Sequence, residues 1–492
     1  MKKHTLFIAA MAAFFITNAQ TKNHWHALTE TEVSKEVVLW NQGDFKPATY
    51  KLFTLDEAGL KSNLLSAPVE KNGALNNSAT IISLPAPDGN FMQFRIVQSS
   101  VMQPELAARY PGIKTYTGKS VENNGINLAF AVTKLGFFAS VMQLNHPTFY
   151  INCLNKPKNI YAVNERNTND ANTQLFKCSL GQSVAIPEST EGIPTPYKGN
   201  ADDGKLRTFV LALCTNGEFS RYFMTGSEVT TSDSIATVLS AITVHLVRAN
   251  QVYERDFGIR LVFAAKEDSI IYLNPSTDPF TSGNWNSQCQ QTCDKKIGSV
   301  NYDIGHVVTR AGNDGNAGCI GCVCRSGEKG SAYTAYSNPK LNDYFVIDYW
   351  THEMGHQFGA YHTYTFDNEG SGANVEPGSG STIMGYAGIT GIATDVQQHS
   401  DDYFHIVSVA QISNYIKTGF GNTCDAETIT GNKAPVVAKP LADYTIPRST
   451  PFAISADGTF TDADAGDVLT YTFEQIDQYK TGYSNTLPKD TS

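Results

Sequence analysis

Apolar residues follow three different rhythms along the chain. From residue 20 to about 186 they come in short stretches such as 79–84, 91–97 and 126–142, separated by Gly, Pro and Asn clusters, which predicts a β-rich first domain. Beyond residue 205 the pattern lengthens. Residues 206–213 predict a strand. Between 234 and 253, Ile235, Val238, Leu239, Ile242, Leu246 and Val247 recur at the spacing of an amphipathic helix. Residues 259–264 and 304–309 predict further strands. A second long helix is expected from near Asp343 through His356, and a last one from Asp401 to Ile416 with Ser400 as its cap. Strand, helix, strand, strand, helix is an α/β (α+β) order, a sheet covered by long helices. After Cys424 the rhythm shortens to Pro-punctuated strands at 434–437, 444–447 and 469–473. These predict a partial β-sandwich, because an immunoglobulin-like fold needs about 100 residues and fewer remain before Ser492.

The first residues carry a targeting pattern. Met1-Lys2-Lys3-His4 is a short basic stretch, Leu6 to Ile16 is apolar, and Thr17-Asn18-Ala19 is a small-residue cleavage site, so a signal peptide over 1–19 and an exported, bacterial-type product are expected. No second hydrophobic stretch of spanning length is read downstream, so no transmembrane segment is expected. Three prolines and several Gly, Asn and Asp between 187 and 205 predict a linker. The expected division is signal peptide 1–19, a β-rich segment and linker 20–204, an α/β domain 205–425, and a partial sandwich 434–492. A formal charge of −10 over 492 residues, with no concentrated basic stretch, excludes a nucleic-acid footprint and gives no attraction to an anionic membrane.

Export changes the reading of nine cysteines. Cys153 and Cys178 lie in the first half and are open to two readings: a disulfide with each other, or one thiolate directed at a metal. The other seven are Cys214, Cys289, Cys293, Cys319, Cys322, Cys324 and Cys424, an odd number, so at least one stays unpaired within that segment. Cys319-Ile320-Gly321-Cys322 has zinc-ligand spacing, but a disulfide is the favoured expectation in an exported chain.

The chemistry concentrates in Thr351-His352-Glu353-Met354-Gly355-His356-Gln357-Phe358-Gly359-Ala360-Tyr361-His362. On a helix, His352 and His356 stand one turn apart on one face and can share a zinc ion at about 2.0–2.1 Å. Glu353, beside them, is positioned to serve as general base toward a water in an open coordination position. His362 can be the third ligand only if the helix stops first, since ten helical residues would carry it about 15 Å along the axis. Gly359 is the residue able to stop it. His-Glu-x-x-His alone arises by chance in about one chain in a hundred of this size, and the added Gly and His lower that by about a thousandfold.

These residues resemble the signature of the metzincin clan of zinc peptidases, in which the long zinc motif is followed by a methionine-bearing turn. Ser381-Thr382-Ile383-Met384-Gly385-Tyr386 is similar to that turn, with Met384 as a hydrophobic floor under the histidines and Tyr386 where some members carry a tyrosine contacting zinc or the tetrahedral intermediate. Residues 206–424, including Tyr302-Asp303-Ile304-Gly305-His306-Val307-Val308, are most similar to bacterial reprolysin-like peptidases, although Thr363 stands where venom-type members carry Asp. The resemblance implies a mixed sheet, a long zinc-binding helix, one catalytic Zn2+, and protein or peptide substrates lying extended along a sheet edge. The stretch 315–324 is the expected edge.

Position implies a propeptide in the first domain, with Lys198 and Lys205 as exposed cleavage points. Asp462, Asp464 and Asp467 offer carboxylates for a structural Ca2+. His306, His399 and His405 are expected to be structural, the last two on the final helix. The leading function is a secreted zinc endopeptidase made as a zymogen. The alternatives are a binding or adhesion protein on the same fold, against which the intact Glu353 argues, and a zinc hydrolase of non-peptide bonds.

Overall fold

The protein is described here by a computed structural model, over residues 22–33, 46–143, 145–170, 176–179, 201–339, 343–367, 369–447 and 449–476. The expected signal peptide, most of the linker and Lys198 lie outside them. Nine antiparallel strands form the first sheet, from Trp25–Leu28 at one edge to Ile81–Pro85 at the other. Alternating side chains place Phe94, Phe130, Phe137, Phe149 and Tyr161 on one buried face against Trp25. The stretch 126–142 is a hairpin, Asn127–Thr133 and Gly136–Met142, rather than one strand.

The second sheet is mixed. From its outer edge its strands are Lys177–Cys178, Asn313–Asn316, Ala332–Tyr336, Ile304–Thr309, Lys205–Thr215 and Ile259–Phe263. Asn313–Asn316 runs antiparallel to its inner neighbour, and the other pairs are parallel. Ala426–Ile429 adds an antiparallel strand to the start of Lys205–Thr215. Lys205 therefore sits in a paired strand, opposite Ile429, and is not the exposed cleavage point its loop-like surroundings imply.

The long helix is Thr231–Phe257, its first turn capped by the Thr230 side chain and its end turned by Gly258 at φ 64°. By length and composition it could cross a bilayer, yet it is largely buried inside the protein. It is the core helix, packed between Ile259–Phe263 and the first sheet's Asn127–Thr133. A second helical run begins at Asp343, passes through a π-helical stretch Phe345–Trp350, and continues as Thr351–Gln357.

Three expectations fail. The last helix is Ile406–Thr418, capped by His405 and not by Ser400. Residues 401–405 are held out of it by tertiary bonds: Asp402 O accepts from Arg255, Tyr403 O from Ile383 N–H, and Phe404 N–H donates to Asp256. His399 also lies off that helix, stacked on Tyr344 with its Nδ1 2.6 Å from Asp348. After residue 434 the described residues form one short antiparallel pair, Val436–Val437 with Phe460–Thr461. The stretches 444–447 and 469–473 are not strands, and their side chains are largely exposed, with no sheet partner to complete their backbone bonds.

Candidate metal centre

The helix Thr351–Gln357 puts His352 and His356 on one face, and it ends two residues before Gly359, whose φ of 104° disfavours any side chain. The Gly359 N–H then closes back on His356 O, and the chain swings His362 across the helix face. The three Nε2 atoms converge: 3.2 Å from His352 to His356, 3.3 Å from His352 to His362, and 3.0 Å from His356 to His362. Each Nδ1 is engaged elsewhere. That of His352 donates to Ile383 O at 2.7 Å, that of His356 to Ala360 O at 2.7 Å, and that of His362 lies 2.9 Å from Glu369.

This tests the fit of a metal. Ligands at about 2.0–2.1 Å from one tetrahedral ion stand about 3.3 Å apart, and outward N–H bonds fix the tautomer that aims each Nε2 lone pair inward. Burial, then the neighbouring imidazoles, lower His352 to about 3 and His356 well below the ordinary range, so both rings are neutral ligands at pH 7. The residues present fit a zinc ion.

Glu353 is fully buried, and neither carboxylate oxygen has a hydrogen bond of ordinary geometry among the described residues. Desolvation raises it to about 8, partly offset by the nearby Cys178 thiol and Ala317 amide. It lies against the strand Asn313–Asn316 at Gly315, where a Cβ would stand 2.6 Å from its Cδ. Met384 is buried beneath the same helix, its sulfur filling the space over Gly355, where a Cβ would stand 2.6 Å from Sδ. Tyr386 sets its ring 4.6 Å from that of His362 and donates its hydroxyl to Cys178 O at 3.4 Å.

Cys178 reaches this centre from the first half of the chain. Lys177–Cys178 pairs in parallel with Asp314 and Gly315, Ser179 N–H extends the ladder to Gly315 O at 2.7 Å, and Phe176 stacks on Tyr349 at 4.1 Å. The Cys178 sulfur lies 3.8 Å from His356 Nε2, within one group with all three histidines. The disulfide with Cys153 is absent: Cys153 sits in the first sheet against Gly136, where burial raises its thiol to about 12. Of the expected edge 315–324, only Gly315 and Asn316 belong to the strand Asn313–Asn316, and the rest is a loop closed by disulfides Cys319–Cys322 and Cys324–Cys424.

Three acidic or basic positions escaped the sequence. Glu369 holds His362 and accepts from the Tyr364 hydroxyl. Glu376 gathers the turn ahead of Met384, accepting from Ser381 and Thr382 N–H and from the hydroxyls of Thr382 and Thr363. Arg166, buried in the interface between the two halves, pairs with Asp343 and Asp348 and donates to Ser400 O. No periodicity or motif marks them, since each acts on residues brought near only by the fold.

With this geometry in view, residues 206–416 match the family model for M12B reprolysin-like metallopeptidases. The segment is a reprolysin-like metzincin domain. The histidine cluster, Met384 and the strand Asn313–Asn316 all lie inside the matched stretch of this reprolysin-like domain, whereas Cys178 lies outside it. A search among curated proteins found no match to the chain.

Proposed function

We propose that the chain is an exported zinc endopeptidase synthesised in latent form, with His352, His356 and His362 as the ligands of one zinc ion. The observation that carries this reading is the convergence of three Nε2 atoms within 3.0–3.3 Å while every Nδ1 is bonded outward. Bound zinc supplies Lewis acidity, which polarises a scissile carbonyl and makes water a competent nucleophile near neutral pH. Glu353 acts as the general base, accepting the proton of the attacking water on its buried carboxylate and delivering it to the leaving nitrogen. Gly359 frees His362 to reach the centre, Met384 supports the histidine helix from below, and Tyr386 presents its phenol to the developing oxyanion.

Substrate takes the edge strand Asn313–Asn316 by strand addition, the place filled by residues 177–179 in the latent chain. There Cys178 serves as a sulfur donor to the zinc and fills the position that water needs, since thiolate binds zinc well. Residues 1–19 act as signal peptide, 20–204 as propeptide and linker, 205–425 as the peptidase, and 434–492 as a C-terminal module. Within that module Asp462, Asp464 and Asp467, with oxygens within 4.8 Å of one another, are the proposed calcium donors.

The test is casein hydrolysis by the full chain and by the chain freed of residues 1–204, with and without chelator, beside Glu353→Ala. Chelator-sensitive activity that Glu353→Ala abolishes while keeping its zinc is expected. A folded, zinc-loaded domain that cuts no protein or peptide substrate would overturn the reading.

A further inference from the structure

Behind the second sheet, on the face away from the histidines, three cysteines outside both disulfides meet in the core. Cys214 comes from the strand Lys205–Thr215, and Cys289 and Cys293 from successive turns of the helix Trp285–Lys296. All three are fully buried. Their sulfurs lie within 4.8 Å of one another, with Cys293 3.8 Å from Cys214 and 4.0 Å from Cys289.

Those separations have a physical meaning. Thiolates at about 2.3 Å from one ion, at angles between tetrahedral and trigonal, stand about 3.8–4.0 Å apart. A disulfide would bring two sulfurs to about 2.05 Å and strand the third as a buried thiol. One ion can take all three as ligands, and the two separations from Cys293 already match. The surroundings agree: Glu267 is buried in a turn packed on both the strand and the helix. One of its oxygens accepts from Leu213 N–H, next to Cys214, and the other has no hydrogen-bond partner among the described residues. Gly305 leaves room for the sulfur of Cys293, since a Cβ there would stand 3.0 Å from it.

We propose that Cys214, Cys289 and Cys293 form a second, structural metal site for a thiophilic d10 cation, zinc(II) or copper(I). On binding, each thiol releases its proton to solvent as a sulfur–metal bond forms and the ion sheds its waters, with no change of oxidation state. The ion staples the helix Trp285–Lys296 to the strand Lys205–Thr215.

The test counts metals in the full-length chain by elemental mass spectrometry. His352→Ala/His356→Ala should keep one zinc or copper per chain, its identity read directly, and adding Cys293→Ser should remove it. Cobalt substitution of Cys178→Ser, which carries no thiol at the histidine site, should give a sulfur-to-cobalt charge-transfer band. Peptide mapping of denatured, alkylated wild type guards against a variant that fails to fold, and should recover all three cysteines as thiols. A disulfide between any two of them, or a double-histidine variant without metal whose three thiols are all alkylated, would overturn the site.

Discussion

Gly315 and Glu353 touch across the gap between the strand Asn313–Asn316 and the histidine helix, so closely that any side chain at 315 would collide with the carboxylate. Gly315→Ala must therefore move Glu353 or the strand. If Glu353 is the general base, peptidase activity falls by about 10²–10⁴-fold, the usual contribution of such a group. Zinc content, measured on the same sample, stays unchanged because the three imidazoles are untouched.

Cys178 tests the proposed latency. Replacing it with Ser removes the sulfur 3.8 Å from His356 while leaving the backbone ladder to Gly315. The full-length variant should cleave a short fluorogenic peptide at least about tenfold faster than unprocessed wild type, since more of the chain is competent. Equal rates would mean that strand occupancy, not sulfur, keeps the chain silent.

Glu369 fixes the orientation of His362 through Nδ1. Glu369→Ala should weaken zinc binding by about 10–100-fold, the common effect of losing a partner behind a ligand. Competition against a calibrated chelator measures it. An unaltered affinity would show that packing on Tyr364 alone holds the ring.

His306 makes the fold sensitive to acid. It is buried, with Nδ1 donating to Gln357 at 3.0 Å and Nε2 accepting from Thr334 at 2.8 Å, and burial lowers it to about 4. A histidine with a lowered folded value gives stability that is complete above about pH 6.5 and is lost as pH falls toward 4, about 3 kcal/mol in all. His306→Gln should be less stable than wild type at pH 7 and close to it at pH 4.5, by thermal unfolding. A gap independent of pH would exclude titration of His306.

Arg166 bridges the halves by neutralising Asp343 and Asp348 in the interior. Arg166→Ala leaves two buried acids without their cation, a loss of about 3–5 kcal/mol. The unfolding midpoint of the full chain should drop by roughly 5–15 °C, and limited proteolysis should release residues after 205 faster. Neither change would be seen if solvent reaches the pair.

The sequence alone determined the catalytic half to a useful depth. Periodicity located the long helix and the strands at 206, 259 and 304, because amphipathic spacing is a local property that burial of one face enforces. His352, Glu353, His356 and His362 were legible together, since helical geometry and one glycine suffice to bring the histidines to a common point. Tertiary structure decided the rest. The last helix starts at Ile406 because distant partners hold 401–405 out of it. Cys178 rather than Cys153 faces the histidines because a parallel strand pairing carries it there. Glu369, Arg166 and the three-cysteine cluster acquire their meaning only from neighbours far along the chain, and proximity between distant residues leaves no period in one sequence.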